Sequence, residues 1–392
     1  MTDARTTLLL VALSAATFMV TSSGASAAPF LEAIARGLGS DLPGIAHLFS
    51  VQAVMWGVSA LVSGTLSDRL GRRIILLLGV ATMALARLGF AGAHSYPAAV
   101  ALHVLSGLGG GAFMGVAFAT VSDHVPPGMR GRALSWVVMG QSLSLVLGVP
   151  LVTLLGAWTG WRGALATHAA TTLLLAVLVR FSVPPDPTRH PHAHRIRTPL
   201  RALLRPGLVA LLAAGTTERV CFGTVAIYLP TWLQRAYGVS LGPLAFALAL
   251  VALGTLVGNL IGGRIADHTR SRSRVFAAAS FVTAVLALPT LMWKPGLIAS
   301  VAFGCAFSLA NATGRPSLLA TLSDVPSELR GTLFGLNVTV ASMGWLVAAS
   351  AGAALVALAG FAGLGPFCAA VALLGGALAL VSAAHMPHAE PR

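Results

Sequence analysis

Long apolar runs with almost no charge inside them constrain this chain more than any other feature. The 392 residues are 56% hydrophobic and only 9% charged, whereas a soluble domain has about 25% charged residues. A helix needs about 20 apolar residues to cross a bilayer, so twelve such helices would take up roughly 240 residues and leave only short connections. The sequence therefore excludes a large soluble domain and predicts a membrane protein.

Charged residues, Pro and Gly divide the chain into twelve apolar runs, six on each side of a polar segment. The fold class is expected to be all-α, a polytopic membrane protein with twelve transmembrane helices in two six-helix halves. We expect an N-terminal half (1–182), a cytoplasmic linker (183–206) and a C-terminal half (207–392). The helices are predicted near residues 7–35, 42–66, 73–93, 98–122, 133–156, 163–182, 207–235, 243–266, 275–293, 296–322, 332–359 and 362–384.

The basic excess indicates orientation in the membrane. There are 25 Lys and Arg residues against 11 Asp and Glu, and a nucleic-acid binder would gather them on one solvated face. Here they are scattered between apolar runs, so no nucleic-acid partner is expected. All but seven lie in the termini or in even-numbered connections, and basic loops stay cytoplasmic. We therefore expect a multi-pass protein of the bacterial inner membrane with both termini in the cytoplasm. The seven others are Arg36, Arg87, Arg162, Arg219, Arg235, Lys294 and Arg315.

Cysteine usage points to no cofactor. The three cysteines, Cys221, Cys305 and Cys368, lie inside apolar runs and have no CxxC spacing. The sequence therefore indicates neither a disulfide framework nor a metal site.

The two halves repeat each other at an offset of about 200 residues. The segment Ala119–Asp123 recurs as Ala320–Asp324, and Gly64–Asp68 recurs as Gly263–Asp267. Two such halves joined by a linker form the architecture in which a substrate site lies near the bilayer midplane. A transporter is the expected consequence.

The N-terminal stretch has a competing interpretation. Arg5, an apolar core and Ala25–Ala28 together are similar to a signal peptide. The repeat argues against it, because Pro29 and Gly37 recur as Pro230 and Gly238. The first helix therefore has a partner in the seventh and is expected to belong to the fold.

The loop between predicted helices 2 and 3 carries the sharpest motif, which runs from Gly64 to Arg73 and reads GTLSDRLGRR. Gly71 permits a tight turn, and Asp68 stands where a basic side chain or a helix N-terminus could pair with it. At every defining position this segment resembles the loop signature of the major facilitator superfamily, and the resemblance covers essentially the whole chain.

The resemblance implies the major facilitator fold, with two pseudo-symmetric halves and a loop that latches them on the cytoplasmic side. The alternative is a basic loop that only sets orientation. The second copy keeps Asp267 but lacks the second glycine, so we expect a weaker latch there. The implied gating residues are Gly64, Asp68, Arg69, Gly71, Arg72, Arg73 and Asp267.

Helices 4 and 5 refine this resemblance. Helix 4 is similar to the family's fourth-helix signature, except that His103 replaces its usual arginine. A histidine can titrate near neutral pH, so a proton-coupling role and a purely structural hydrogen bond both stay open. Helix 5, with Gly140, Gly148, Pro150 and Gly156, resembles the bacterial drug/metabolite:proton antiporter branch, of the sugar, nucleoside or drug efflux type. This favours efflux over uptake.

Ionisable residues inside a membrane are costly and are functional candidates. Glu218 lies eleven residues into helix 7, about 16 Å along it and close to the midplane, where it could carry a proton or meet a cationic substrate. The Arg219 side chain points about 100° away, so the two need not pair. The alternative is a structural ion pair, for example with Arg315.

Arg315 is expected either to snorkel to the interface or to bind an anionic substrate, and Arg87 is expected to snorkel. Four amides in the spans complete the candidate cavity, either as substrate ligands or as links between helices. They are Gln52, Gln141, Asn311 and Asn337.

We therefore expect a secondary active transporter that exports a small organic compound, a drug or a metabolite, in exchange for protons. Its expected partners are the small-molecule substrate, protons and the lipid bilayer, and it is expected to act as a monomer. Two alternatives stay open: a proton-coupled uptake symporter for a small metabolite or organic ion, and a membrane receptor or assembly factor that does not transport. An enzyme is not expected, because no HExxH, nucleophile elbow or phosphate loop is present.

Overall fold

The computed structural model describes residues 4–125, 129–184, 205–269, 271–323 and 327–385. Within these ranges every regular element is a helix, and eleven segments are long and apolar enough to cross a membrane. Large apolar side chains stand exposed, among them Ile298 at 87% and Trp158 at 77%. Surfaces of this kind are suited to contact with lipid rather than water.

The described residues of the first half of the chain form seven α-helices. By contacts, Met1–His194 and Ser240–Phe246 make up one compact unit. Within it the first helix packs against the sixth and seventh, the third against the fifth, and the fourth against the fifth and seventh. The helices are α1 (Ala4–Ala25), α2 (Leu31–Leu38), α3 (Leu42–Leu70), α4 (Arg72–Ala91), α5 (Tyr96–His124), α6 (Arg130–Leu143) and α7 (Val149–Ser182).

The N-terminal segment contributes to the core of this unit. Leu9, Leu13 and Val20 on α1 are buried in the same apolar cluster as Leu76 of α4 and Phe113 of α5. The segment is one apolar stretch from Arg5 to Leu38, but a short 3₁₀ turn over Ala28–Phe30 divides it into α1 and α2. Pro29 lies in this turn, where its missing N–H breaks the ladder of helical hydrogen bonds.

The glycine pairing of the repeat differs from the sequence-based assignment. Gly39 ends α2 with φ 60°, and Gly238 ends the seventh predicted span with φ 63°. Each donates its backbone N–H to a carbonyl four residues earlier, as a left-handed helix cap does. The structural counterpart of Gly238 is therefore Gly39. Gly37 instead lies against the Trp161 ring.

In the second half, the part of the chain that the structure describes forms six α-helices. Arg195–Val239 and Ala247–Arg392 make up the other compact unit. In it the first helix packs against the last three, and the third packs against the fourth and the last. The helices are α8 (Pro206–Tyr237), α9 (Leu241–His268), α10 (Arg272–Leu291), α11 (Leu297–Ser323), α12 (Ser327–Ala359) and α13 (Leu364–His385).

The three-part division of the chain stays a prediction. The described part of α7 ends at Ser182 and α8 begins at Pro206, close to the predicted limits of the linker. Most of the predicted linker, residues 185–204, lies outside the described residues.

The predicted helices near 133–156 and 163–182 belong to one long segment, Ala133–Ser182. As a single helix its 50 residues would measure about 75 Å, against about 30 Å of bilayer core. Gly160 interrupts it with φ 68° and ψ 174°. Two hundred residues later Gly360, between α12 and α13, has φ 66° and ψ −167°. This backbone region is essentially restricted to glycine.

Two glycine ridges, each made of glycines four positions apart in the sequence, bring helices into backbone contact. On α5, Gly107, Gly111 and Gly115 lie against the α3 backbone. On α9, Gly254, Gly258 and Gly262 lie against the α11 carbonyls of Cys305, Leu309 and Thr313. Within each unit the ridge allows the two helices to approach more closely than larger side chains would permit.

Candidate functional site

A buried ionic cluster occupies the middle of α8. Glu218 lies twelve residues after the helix begins, about 18 Å along its axis. Its side chain is 6% exposed. Nε of Arg219 donates to Oε2 of the carboxylate at 2.5 Å, and Nη2 donates to Oε1. From α11, Nη1 of Arg315 approaches Oε2 at 3.5 Å.

The pairing of Glu218 with Arg219 differs from the sequence-based expectation that neighbouring side chains point apart. The reason is the length of the arginine, whose guanidinium folds back along the helix and lies 4.7 Å from the centre of the Phe222 ring. This cation–π contact holds the guanidinium in place. Gly344 of α12 gives the arginine stem room, since a Cβ there would overlap the Cβ of Arg219.

Asn311 completes the cluster from one turn before Arg315 on α11. Its Nδ2 donates to the backbone carbonyl of Glu218 and to Oε1, both at 3.3 Å. Four predicted site residues are thus brought together, and they carry one negative and two positive charges. Gln141 on α6 and Asn337 on α12 are half-buried, and their roles stay predictions.

Arg315 is the most accessible member of the cluster. Its side chain is 27% exposed, against 13% for Arg219. The cluster can therefore present a guanidinium to a ligand while the carboxylate stays covered. The bond of Arg315 to Glu218 is the ion pair that the alternative interpretation of Glu218 expects. Snorkelling of Arg315 and its binding of an anionic substrate both stay predictions.

Arg87, on α4 in the other unit, contradicts the prediction that it snorkels. It is 2% exposed and is the bulkiest of the fully buried side chains in the described residues. Nη2 donates to the Ser23 carbonyl of α1 and to Oε1 of Gln52 on α3 at 3.1 Å. The predicted cavity residue Gln52 is therefore a hydrogen-bond partner of a buried arginine.

His103 is fully covered beside α4. Its Nδ1 is 2.8 Å from the Ala99 carbonyl of its own helix, and its ring stacks edge-on against Phe90 at 4.5 Å. This contact agrees with the alternative interpretation of His103 as the donor of a purely structural hydrogen bond. The carbonyl that it contacts belongs to its own helix, α5. A proton-coupling role of His103 stays a prediction.

The loop between α3 and α4 is organised by one arginine. Arg72 contacts Asp68 at 2.9 Å and Asp123, at the end of α5, at 3.0 Å, and it also donates to the Ser67 hydroxyl. Gly71 makes the turn with φ 97°. The predicted pairing of Asp68 with a basic side chain is confirmed. Arg73 donates to the Arg180 carbonyl in the last turn of α7.

The corresponding loop of the second half is described in part. Arg272 is the counterpart of Arg72 at an offset of 200. It donates to the carbonyls of Ala266 at 3.2 Å and Ala320 at 3.4 Å. Asp267 is exposed, and Asp324, the counterpart of Asp123, lies outside the described residues.

Comparison with known proteins decides the family. The family model described as Major Facilitator Superfamily matches residues 13–349 and 211–392. The chain belongs to the major facilitator superfamily. Among its superfamily relatives, the inner membrane transport protein YdhP of Escherichia coli K12 is 27% identical, over 91% of this chain and 90% of the relative. A chloramphenicol resistance protein of Streptomyces lividans is 29% identical over 69% of each chain.

A solved structure shows the same fold. It is a bacterial homologue of the human lysosomal transporter Spinster, in an inward-facing and occupied conformation. The two structures share a TM-score of 0.81 over 98% of each chain, at 13% identity. The resemblance to superfamily transporters, including members of the drug-efflux type, is thus confirmed. The chain is a membrane-embedded transport protein of this superfamily.

Three residues of these sites were not identified, or were placed wrongly, by sequence reasoning. Asp123 contacts Arg72. The sequence held a sign of its importance, because Asp123 ends the repeated segment Ala119–Asp123. Arg87 gave no signal of burial, because a run of apolar residues fixes the depth of a side chain but not the neighbour that it faces. His168 of α7, whose Nε2 is 2.8 Å from the Ser22 hydroxyl, gave no signal either.

Proposed function

We propose that this chain exports a small organic compound across the bacterial inner membrane in exchange for protons, by alternating access of two six-helix halves. Twelve spans follow if the segment Ala133–Ser182 crosses the membrane twice, once on each side of Gly160. The shared backbone conformation of Gly160 and Gly360 supports this count, because each would then lie between the last two spans of its half.

The observation that carries the proposal is the Glu218 carboxylate, buried in the middle of a span and shared by two arginines. An ion pair with Arg315 needs an ionised carboxylate, so a protonated Glu218 and the pair with Arg315 are alternatives. Arg315 lies on a different helix and next to Pro316, which removes a backbone donor from α11. Movement of α11 would change the separation of the two groups and so couple proton binding to conformation.

Export is supported by the relatives. One relative is named a chloramphenicol resistance protein, and a membrane transport protein can confer resistance by removing a compound from the cell. The glycine-rich fifth helix supports the same direction, through its resemblance to the drug/metabolite:proton antiporter branch.

The charge of the cluster around Glu218 bears on the substrate. Because the cluster has an excess of one positive charge, we propose a neutral or anionic organic substrate.

The loop around Arg72 is proposed to act as the cytoplasmic gate. The bonds of Arg72 to Asp68 and Asp123 link the α3–α4 loop to the end of α5. Opening of the gate would therefore change the positions of both the loop and the end of α5. The orientation with both termini in the cytoplasm is part of the proposal, as are the monomeric state and the absence of a nucleic-acid partner.

Inverted membrane vesicles test the function. Vesicles containing the chain, with an imposed proton gradient, are expected to accumulate at least one of radiolabelled chloramphenicol, a nucleoside or a sugar. Collapse of the gradient should abolish accumulation. Glu218→Gln should prevent gradient-driven accumulation while substrate counterflow continues. Glu32→Gln is the matched control, because Glu32 is a partly exposed acid, 32% accessible, whose Oε2 lies 4.0 Å from Nη1 of Arg36.

The rival functions give different results. An uptake symporter would accumulate the compound only in right-side-out vesicles. A receptor would bind a compound, seen as a thermal shift of the purified protein, without transport in either orientation. A Glu218→Gln variant with unchanged gradient-driven transport would remove Glu218 from the coupling mechanism.

A further inference from the structure

An aromatic pair continues the ionic cluster of α8 towards α12. The Arg219 guanidinium lies 4.7 Å from the centre of the Phe222 ring. The Phe222 ring in turn meets Trp345 of α12, with the ring centres 5.7 Å apart and the ring planes at 77°. One row of contacts therefore runs from the Glu218 carboxylate to the Trp345 indole.

Two contacts with α8 hold the Trp345 indole. A Cβ on Gly223 would lie 3.6 Å from Cδ2 and Cε3 of the indole, so the ring rests over the helix backbone at this glycine. Phe222 meets it nearly at a right angle, an arrangement that aromatic pairs prefer. Phe222 and Trp345 are nevertheless only half-buried, so part of each residue stays accessible.

The accessible part of Trp345 does not belong to the face of α12 that suits contact with lipid. Met343 and Val347 are exposed apolar residues of that face. At about 100° per residue, Trp345 lies about 160° around the helix from each of them. Its neighbours on its own side, Ala348 and Ala349, are fully buried. The structure therefore leaves an opening beside Trp345 on the inner side of α12, at its contact with α8.

The cationic end of the row is accessible as well. The side chains of Arg219 and Arg315 are 13% and 27% exposed. A charged group within a span normally faces the protein interior or a water-filled cavity rather than lipid. Arg219 cannot extend to the interface without giving up its contacts with Glu218 and Phe222. A positive surface and an aromatic surface thus adjoin, and Phe222 connects them.

We propose that Phe222 and Trp345 bind the aromatic ring of the transported compound, and that Arg315 binds an anionic group of the same compound. The substrate class is then an aromatic anion such as an aromatic carboxylate. A guanidinium binds carboxylate oxygens through charge-assisted hydrogen bonds, and the single positive excess of the cluster matches one negative charge. The inference rests on the proposed function, which makes the bound compound a substrate, but binding can be measured without a gradient.

Binding of 2-naphthoate and of its saturated counterpart, decahydro-2-naphthoate, to the purified full chain tests the proposal. The two anions share one carbon skeleton and one charge. We expect calorimetric titration in detergent to show saturable binding of 2-naphthoate with the lower Kd. Trp345→Leu should weaken 2-naphthoate binding about 2–10-fold, the range for one aromatic contact, and remove most of the preference. Arg315→Gln should weaken the binding of both anions alike.

Trp293→Leu is the matched control. Trp293 is an exposed tryptophan of the same unit that packs against Phe303, with ring centres 5.9 Å apart, and its loss should leave the preference unchanged. No saturable binding of 2-naphthoate, equal affinities of the two anions, or an unchanged preference in Trp345→Leu would overturn the proposal.

A spectroscopic measurement locates the ligand even if Trp345→Leu does not fold. In 19F spectra of the chain labelled with 5-fluorotryptophan, 2-naphthoate should shift the resonance that Trp345→Phe removes, and an unshifted resonance refutes the site. Aromatic binding without transport in either vesicle orientation would keep this site and remove the export function. Gradient-driven transport without a preference for the aromatic anion would do the reverse.

Discussion

Arg315 reaches the Glu218 carboxylate from a different helix, at 3.5 Å, whereas Arg219 binds the same carboxylate from the next position along the chain. Glu218→Gln leaves two partly buried guanidiniums without a counter-charge and is expected to cost up to about 3 kcal/mol of unfolding free energy, the lower end of the range for a buried ion pair. Adding Arg315→Gln should recover part of this loss, because one of the unpaired charges disappears. Gradient-driven transport should stay absent in both variants.

Thermal unfolding in detergent and vesicle transport together check this expectation. Glu32→Gln serves as the control for loss of an acid far less buried. Equal stability of the single and double variants would show that Arg315 does not depend on Glu218.

Two neighbouring glycines of α9 should respond in opposite ways to the same substitution. A Cβ on Gly262 would overlap the Thr313 carbonyl of α11, whereas nothing lies within 4 Å of a Cβ on Gly263. We expect Gly262→Ala to lower the unfolding free energy by about 1–3 kcal/mol through overpacking. Gly263→Ala should leave it unchanged or raise it by up to about 1 kcal/mol, because alanine favours the helix. Unfolding midpoints of the two variants provide the comparison.

Alanine substitution at Gly160 or Gly360 should lower the unfolding free energy through backbone conformation and not through lack of space. Nothing lies within 4 Å of a Cβ at either position, but both have positive φ. Alanine at either site should therefore cost about 1–3 kcal/mol of backbone strain. Gly242→Ala, which meets open space without positive φ, is the matched control. Equal behaviour of all three variants would contradict the assigned backbone conformation.

Arg72 should couple energetically to Asp123. A double-mutant cycle with Arg72→Gln and Asp123→Asn isolates the pair. Because the Asp123 side chain is 38% exposed, the coupling should be at most about 1 kcal/mol. The larger expected effect is on transport, which should fall several-fold in either single variant if the loop is a gate. Normal transport in both variants would favour a loop that only sets orientation.

Most of the helical framework could be predicted from the sequence, because apolar runs stop where charge, Pro or Gly interrupts them. The glycine ridges of α5 and α9 could also be predicted, since small residues four positions apart share one helix face. The division of the first span at Pro29 was missed, because no charged residue interrupts the sequence between Arg5 and Glu32. The repeat located Gly238 correctly but matched it with Gly37, since glycine identity does not reveal which residue has positive φ.

Less of the candidate site could be predicted. The position of Glu218 along its helix placed it in the middle of a span. The length of the Arg315 side chain made this residue a possible partner. The bond between Glu218 and Arg219 depends on a bent side chain held over Phe222, which helical geometry does not indicate. The burial of Arg87 depends on α1 and α3, whose faces toward α4 are set only by the packed structure.

The glycine ridges lie on opposite members of equivalent helix pairs. In the first unit the later helix, α5, carries the glycines and meets α3, while in the second the earlier helix, α9, carries them and meets α11. In the first unit, Ser59 of α3 donates to the Leu108 carbonyl at 2.6 Å, where the second unit sets Gly258 against Leu309. If the halves descend from one duplicated ancestor, at least one ridge arose after the duplication. Selection would then have preserved a distance between two backbones rather than any residue that produces it.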